Sequence, residues 1–150
     1  MPIRPAKGDD VRAVRNIAKR AYIRYVPRIG RSPAPMAADF LGAVERGTVS
    51  VAEAEGVVFG YVIAFPRDDD YFIENIAVDP AMAGLGLGKA LMDHAEAAAE
   101  AAGKRFVRLY TNVRMHENFP FYAGLGYRVT REAVEDGFHR VYFEKDLAKQ

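Results

Sequence analysis

The sequence has no cysteine. Disulfide frameworks, thiolate nucleophiles and Cys-ligated zinc are therefore excluded, while the redox compartment stays open. Neither sign of charge dominates: 21 Lys and Arg stand against 20 Asp and Glu, a formal charge of +1. That balance lacks the basic excess on which sequence-independent nucleic-acid binding depends, so no nucleic-acid partner is expected. Long apolar runs are missing too. The longest, Val57 to Phe65, is too short to cross a bilayer, and the opening Met1-Pro2-Ile3-Arg4-Pro5 has no apolar core of signal-peptide length. A soluble, cytoplasmic protein without a membrane partner is the simplest expectation. His94, His116 and His139 lie far apart without metal-motif spacing, so no metal is expected, and no Gly-x-Ser-x-Gly nucleophile elbow is present.

What the chain does have is the composition of one ordinary domain. Its 150 residues are 50% hydrophobic and 27% charged, enough apolar surface to offset chain entropy around a single core, so residues 1–150 are read as one domain. Ile3 to Pro5 reads as a short extended piece. Asp9 and Asp10 then offer caps for a helix whose Val11, Val14, Ile17, Ala18, Ala21, Tyr22 and Tyr25 form one buried stripe, with Pro27 as its end. Arg24 to Pro35 is irregular and rich in Pro, Gly and Arg, a candidate binding loop, and Met36 to Arg46 reads as a second helix closed by Gly47. Thr48 to Ala54 and Val57 to Phe65 form a hairpin through Glu55-Gly56, and Tyr71 to Val78 is a strand ended by Asp79-Pro80. A glycine-rich turn leads to a long helix over Gly88 to Ala102, then a strand over Arg105 to Thr111 and a short helix over Asn118 to Ala123. Tyr127 to Val134 and Phe138 to Glu144 close the chain as a hairpin around Asp136-Gly137. The order is mostly antiparallel with one βαβ-like centre, an α/β (α+β) arrangement.

Between Val78 and the long helix, Gly84, Gly86 and Gly88 stand at alternate positions. Glycine admits backbone conformations closed to other residues, and free N–H groups at a helix start make an anion site, here with Lys89 beside it. A phosphate group is the natural guest. Two familiar phosphate loops do not fit. Aligned on Gly88-Lys89, a Walker A loop needs glycine at Ala83 and Ser or Thr at Ala90, and the dinucleotide pattern needs glycine at Lys89 or Leu91. From the glycines alone, a phosphate cradle and a plain strand-to-helix connector both remain open.

Three ordered blocks carry more. Ile73-Glu74-Asn75-Ile76-Ala77-Val78-Asp79-Pro80, Gly84-Leu85-Gly86-Leu87-Gly88-Lys89-Ala90-Leu91-Met92 and Phe121-Tyr122-Ala123-Gly124-Leu125-Gly126-Tyr127 resemble the GNAT superfamily of acyl-CoA N-acyltransferases, and the order of elements from Ile3 to Leu147 matches as well. The resemblance implies a mixed, mostly antiparallel central sheet of about six or seven strands with about four helices on both faces, and acetyl-CoA as cosubstrate. It implies that backbone N–H groups of Gly84, Leu85, Gly86, Leu87, Gly88 and Lys89 hold the pyrophosphate. The family pattern Gln/Arg-x-x-Gly-x-Gly/Ala puts its glycines on Gly86 and Gly88 and its first position on Ala83, which removes one side-chain contact. It also implies that the strand matching Glu74 to Val78 splays from its neighbour, freeing the backbone of Ile76, Ala77 and Val78 to pair with the pantetheine arm.

The same resemblance sets Tyr122 where the family commonly has a tyrosine facing the CoA sulfur. A phenol of pKa about 10 donates to a thiolate near 8.5 at a small uphill cost, which suits a general acid. Without the motif, Tyr122 reads as a core aromatic beside Phe119 and Phe121. Asn118, on the same helix face, is expected at the cofactor or as a cap. Amine acylation also needs a neutral nucleophile, and Glu74, which shares strand parity with Ile76 and Val78, matches the carboxylate some family members use as base, with burial raising its pKa or a water relaying the proton. Asn112 would position such a water. Tyr22, Arg24, Tyr25, Arg28 and Arg31 surround the first-helix exit, which in the family borders the acceptor pocket. Arginine forks grip carboxylates or phosphates, so a small amine carrying an acid group would suit them, whereas Asp68 to Asp70 would attract a cationic amine. The function implied is an N-acetyltransferase moving an acetyl group from acetyl-CoA to a primary amine of a small molecule or peptide, by direct attack in a ternary complex. The alternative is a non-catalytic CoA-binding or regulatory module on the same fold, and a homodimer stays open.

Overall fold

Helix α1 (Val11–Tyr22) starts where the pattern places it, behind a 3-10 turn at Gly8–Asp10, in a computed structural model that describes residues 1–149. Asp10 is buried there, and its carboxylate accepts from Arg4 at 2.8 and 3.0 Å and from the Lys7 N–H at 2.7 Å. Pro27 does not end this helix. The chain leaves α1 at Tyr22, makes a 3-10 turn over Ile23–Tyr25, and starts the short helix α2 (Val26–Ile29) with Pro27 in its first turn, where a missing N–H costs nothing. Nor is Met36 to Arg46 one helix. A 3-10 turn at Ala34–Ala37 gives way to extended Ala38, and helix α3 (Phe40–Glu45) restarts at Asp39, whose carboxylate caps it by accepting from the Gly42 N–H at 3.0 Å.

The strands are β1 (Ile3–Pro5), β2 (Val49–Ala54), β3 (Val57–Pro66), β4 (Tyr71–Val78), β5 (Phe106–Asn112), β6 (Arg128–Glu135) and β7 (Phe138–Asp146). Helices α4 (Leu87–Ala101) and α5 (Phe119–Gly124) complete the fold. One seven-stranded sheet runs β1-β2-β3-β4-β5-β7-β6, antiparallel throughout except for the parallel pair β4–β5. Both two-residue turns behave as their sequences demand, with positive φ at Glu55-Gly56 (51° and 80°) and Asp136-Gly137 (53° and 80°).

Alternation along the strands divides the apolar side chains into two cores. Val51, Tyr61 and Ile63 pack with Val14, Ile17 and Phe40 under α1 and α3, whereas Ala52, Val62, Val107, Leu109 and Phe143 pack with Leu91 and Met92 of α4 and with Tyr122 of α5. Helices thus cover both faces.

Two buried carboxylates tie this fold to pH. Arg4 holds Asp10 below the ordinary carboxylate range; burial opposes ionisation of Asp70, but Arg67 at 2.6 and 2.7 Å and Arg108 at 3.1 Å overcome it and lower it as well. A carboxyl with a lowered folded pKa contributes stability above its unfolded value, near 3.8, and loses it as pH falls through the folded value. Stability is therefore expected to drop as pH falls below about 4. Asp70→Asn should weaken the protein at neutral pH and narrow its difference from acid pH, as measured by urea unfolding at both.

Candidate active site

Strands β4 and β5 pair only at Tyr71↔Val107 and Phe72↔Arg108, and then part. The cause lies two residues further along β4. Because β3 pairs Ile63 with Asn75 and Ala64 with Ile73, Glu74 is an extra residue, a bulge that bends and twists its strand. The bulge also resets alternation. Ile73, Ile76 and Val78 pack towards the α4 core, whereas Ala77 joins the α1 core and Asn75 bonds into it. The parity that groups Glu74 with Ile76 and Val78 therefore fails at the bulge, and Ile73 takes that place on the shared face.

Beyond the bulge the Asp79 N–H donates to the Phe59 carbonyl at 2.7 Å, so strand alternation turns the amides of Ala77 towards β3 and those of Ile76 and Val78 into the opening. The Tyr22 hydroxyl donates to the Ile76 carbonyl there at 2.5 Å. Around the opening lies a cleft of about 930 Å³, walled by β4, the glycine loop, α5, the α1–α3 connection, β5 and β7. That is large enough for an extended cofactor.

The glycine loop forms one end. Asp79 caps a 3-10 turn at Pro80–Met82 by accepting from the Ala81 N–H at 3.0 Å, and Gly86, at φ 80°, is the N-cap of α4. No side chain caps that helix, and its first turn closes with Ala90 N–H on the Gly86 carbonyl at 3.1 Å. The N–H groups of Leu87, Gly88 and Lys89 are thus left without intrahelical partners, at the positive end of a 15-residue helix. A Cβ on Gly88 would lie 3.3 Å from the Phe121 ring, so a larger residue there would have to push that ring aside. The Lys89 ammonium turns back to Asp93 at 2.9 Å, and the Leu85 side chain is exposed outside the cleft wall. Ala83 lines the wall without a polar group.

Tyr122 is buried on α5, its ring packed edge-on or tilted against Phe121, Tyr127 and Phe143. Burial pushes its phenol above the ordinary range. Its hydroxyl has no partner among the described residues, yet no buried polar side-chain atom is left unsatisfied, so the hydroxyl opens on the cleft that Tyr122 lines. Asn118 lines the same wall and its side chain does not cap α5. Glu74 lines the cleft, exposed, with no ion pair or hydrogen bond among the described residues. Asn112 uses its Oδ1 to accept from the Arg114 N–H at 2.9 Å.

On the α1 side Tyr22 and Tyr25 line the cleft, with the Tyr25 hydroxyl accepting from Arg24 at 2.5 Å. Arg28 and Arg31 do not. Arg28 forks onto Glu117 at 2.6 and 2.7 Å, and Arg31 donates to the Asp136 carbonyl at 2.8 Å while stacking 3.7 Å from the Phe138 ring centre. Asp70 lies in its ion pairs outside the wall. Sequence reasoning missed Asn75, which is buried, accepts from the Tyr61 hydroxyl at 2.8 Å and donates to the Pro35 carbonyl at 3.0 Å, tying the α1–α3 connection to β4. Its signal was a polar residue between Ile73 and Ile76 in an apolar strand.

A strand parted from its neighbour beside an uncapped, glycine-led helix start has the geometry to suit an extended, phosphate-bearing ligand. The model of the acetyltransferase (GNAT) family matches residues 11–127, and the chain belongs to that family. Solved structures agree on the fold. The chain is similar to a PaiA N-acetyltransferase from Thermoplasma acidophilum in complex with coenzyme A, with 19% identity over 97% of this chain and 98% of that one and a TM-score of 0.80. It is similar to Ard1 from Thermoplasma volcanium, with 19% identity over 97% of each chain and a TM-score of 0.78. An IAA acetyltransferase from Bacillus cereus gives 21% identity over 97% of this chain and 99% of that one, with a TM-score of 0.72. Family membership supports acetyl-CoA-dependent transfer to an amine. Among the described residues there is no group of three or more potential metal ligands, and no helix is long and apolar enough to cross a membrane.

Proposed function

We propose that the protein transfers the acetyl group of acetyl-CoA to a primary amine by direct attack in a ternary complex. The observation that carries this reading is the unpartnered Tyr122 hydroxyl, opening on a cleft that is also lined by the outward backbone of Ile76 and Val78, where of these groups only the Ile76 carbonyl is taken, by the Tyr22 hydroxyl. The donor set suits the cosubstrate: the amides of Leu87, Gly88 and Lys89 would hold its pyrophosphate and the β4 backbone its pantetheine amides, with Asn118 beside Tyr122. Acetyl-CoA supplies an activated thioester. Tyr122 then donates a proton towards the departing sulfur, and since burial penalises a bare thiolate as it does a phenolate, the two stay matched.

The acceptor must lose a proton first. Passing it from an ammonium near 10 directly to a carboxylate near 4.3 costs roughly 8 kcal/mol, so Glu74, exposed at the bulge, is assigned the task of guiding it through water to the solvent. Activity should rise with pH. Glu74→Gln is expected to lower the rate about 10-fold, less than loss of a direct base would, and to move the rising limb towards the intrinsic pKa of the amine. Its CoA-dependent thermal shift should stay intact, because backbone groups hold the cofactor. A wild-type pH profile in that variant removes Glu74 from the mechanism. The reading as a whole is tested by thiol release from acetyl-CoA against a panel of amines. The apolar Ala83 favours one second reading, a CoA-binding module without turnover, and CoA binding with no thiol release across the panel would select it.

A further inference from the structure

With Arg28 and Arg31 committed elsewhere, a different guanidinium faces the cleft. Arg140 lies on β7, and alternation with Val141 and Phe143, both in the α4-side core, puts it on the opposite face of the sheet from α4 and its phosphate-binding amides. Its side chain is only 12% exposed. Packing holds it, with the guanidinium 4.4 Å from the Tyr110 ring centre and 5.7 Å from that of Phe138.

Its charge partners are poor. Nη1 is 3.4 Å from Glu135 and 3.7 Å from Asp136, the Glu135 carboxylate already accepts the Tyr142 hydroxyl, and Asp136 is 84% exposed. Nε and Nη2 donate to nothing among the described residues. Other cations on the cleft wall differ: Arg20 is paired with Asp79 at 2.6 Å, Lys89 with Asp93, and Arg24 and Arg46 are exposed to solvent. A guanidinium mostly withdrawn from water with unused donors is satisfied best by a planar anion that takes two of them at once. The same cleft is lined from β4 by the unpaired carboxylate of Glu74. One strand, β5, separates β4 from β7, so their backbones are at least about 10 Å apart. Side chains reaching inward from both leave room for a short molecule.

We propose that Arg140 is the anion site of the acceptor, and that the acceptor is a small amine carrying a carboxylate, held by the Arg140 fork with its amine at the Tyr122 and Glu74 end. The amine half of this rests on the acetyl-transfer reading; the anion half does not. A single guanidinium matches a monoanion, which favours a carboxylate over a phosphate.

The test titrates the CoA-loaded protein calorimetrically with the common α-amino acids, β-alanine and 4-aminobutyrate, each against its primary amide, and with O-phosphoethanolamine. Thiol release from acetyl-CoA is followed on the same panel. At least one acid should bind about 10- to 100-fold tighter than its amide, the worth of hydrogen bonds to a charged group. Arg140→Met should abolish that preference and leave amide binding unchanged. Arg140→Lys, which keeps the charge without the fork, should lose most of it, and CoA-dependent thermal shifts verify that both variants keep a formed cleft. The inference is overturned if acids and amides bind alike, if nothing on the panel binds, if phosphoethanolamine binds tightest, or if Arg140→Met keeps the preference. Acid-selective binding without thiol release upholds the anion site and refutes acetyl transfer. Thiol release indifferent to the carboxylate does the reverse.

Discussion

Tyr122→Phe is expected to lower the rate of acetyl transfer by about 10²-fold or more, equivalent to about 2.7 kcal/mol of barrier, while CoA affinity changes little. The substitution is clean because the ring keeps its contacts with Phe121, Tyr127 and Phe143, and the lost hydroxyl leaves no group behind unpaired. Folding stability should therefore match wild type. A loss of rate with stability and CoA binding preserved points to the proton that the phenol carries to sulfur. Turnover within about a factor of two of wild type, against that expected loss, would reduce Tyr122 to packing.

Gly86→Val is expected to abolish the stabilisation that CoA confers on the folded protein, which for a ligand at 100 times its Kd amounts to about 2.7 kcal/mol. At Gly86 a Cβ meets nothing within 4 Å, but φ is 80°, so the substitution strains the backbone rather than crowding a neighbour. A β-branched residue in that region costs about 1–2 kcal/mol, and the chain relieves it by rotating the amides that open α4. The unliganded melting temperature should fall by only a few degrees, at about 2–4 °C per kcal/mol for a domain of this size. Gly56→Val is the control, since Gly56 has the same φ of 80° in a hairpin outside the cleft wall. It should pay the strain and keep the CoA shift; a full shift in the Gly86 variant would sever the loop from cofactor binding.

Strands and hairpins were legible in the sequence because their causes are local: alternation, Glu55-Gly56 and Asp136-Gly137 act over a few residues. Helix ends near Pro27 and Asp39 were harder. There the chain mixes 3-10 turns with short helices, and Asp39 reads as a cap only once the break at Ala38 is known. The ordered motifs pointed to the glycine loop and Tyr122, and both line the cleft. Glu74 lies on the cleft wall, but its bulge was not legible, because a bulge is a property of pairing with β3 and strand parity assumes perfect register. The surroundings of the arginines were not legible either, because their contacts come from residues distant in sequence. Arg28 looks free until Glu117, distant in sequence, closes on it, and Arg140 looks like an ordinary strand residue until Tyr110 and the cleft surround it.

The parting of β4 from β5 also bares edges of both strands inside this sheet, in addition to those of β1 and β6, and that of β4 faces the cleft. Exposed edges invite strand addition and aggregation. This one is recessed behind α4, α5 and the α1–α3 connection, and Tyr22 already occupies one of its acceptors. What reaches it must be thin, extended and able to pair amide with amide, a guest shaped like one strand's backbone without a protein's bulk. The elements that wall the cleft therefore also guard this seam of the sheet from other chains.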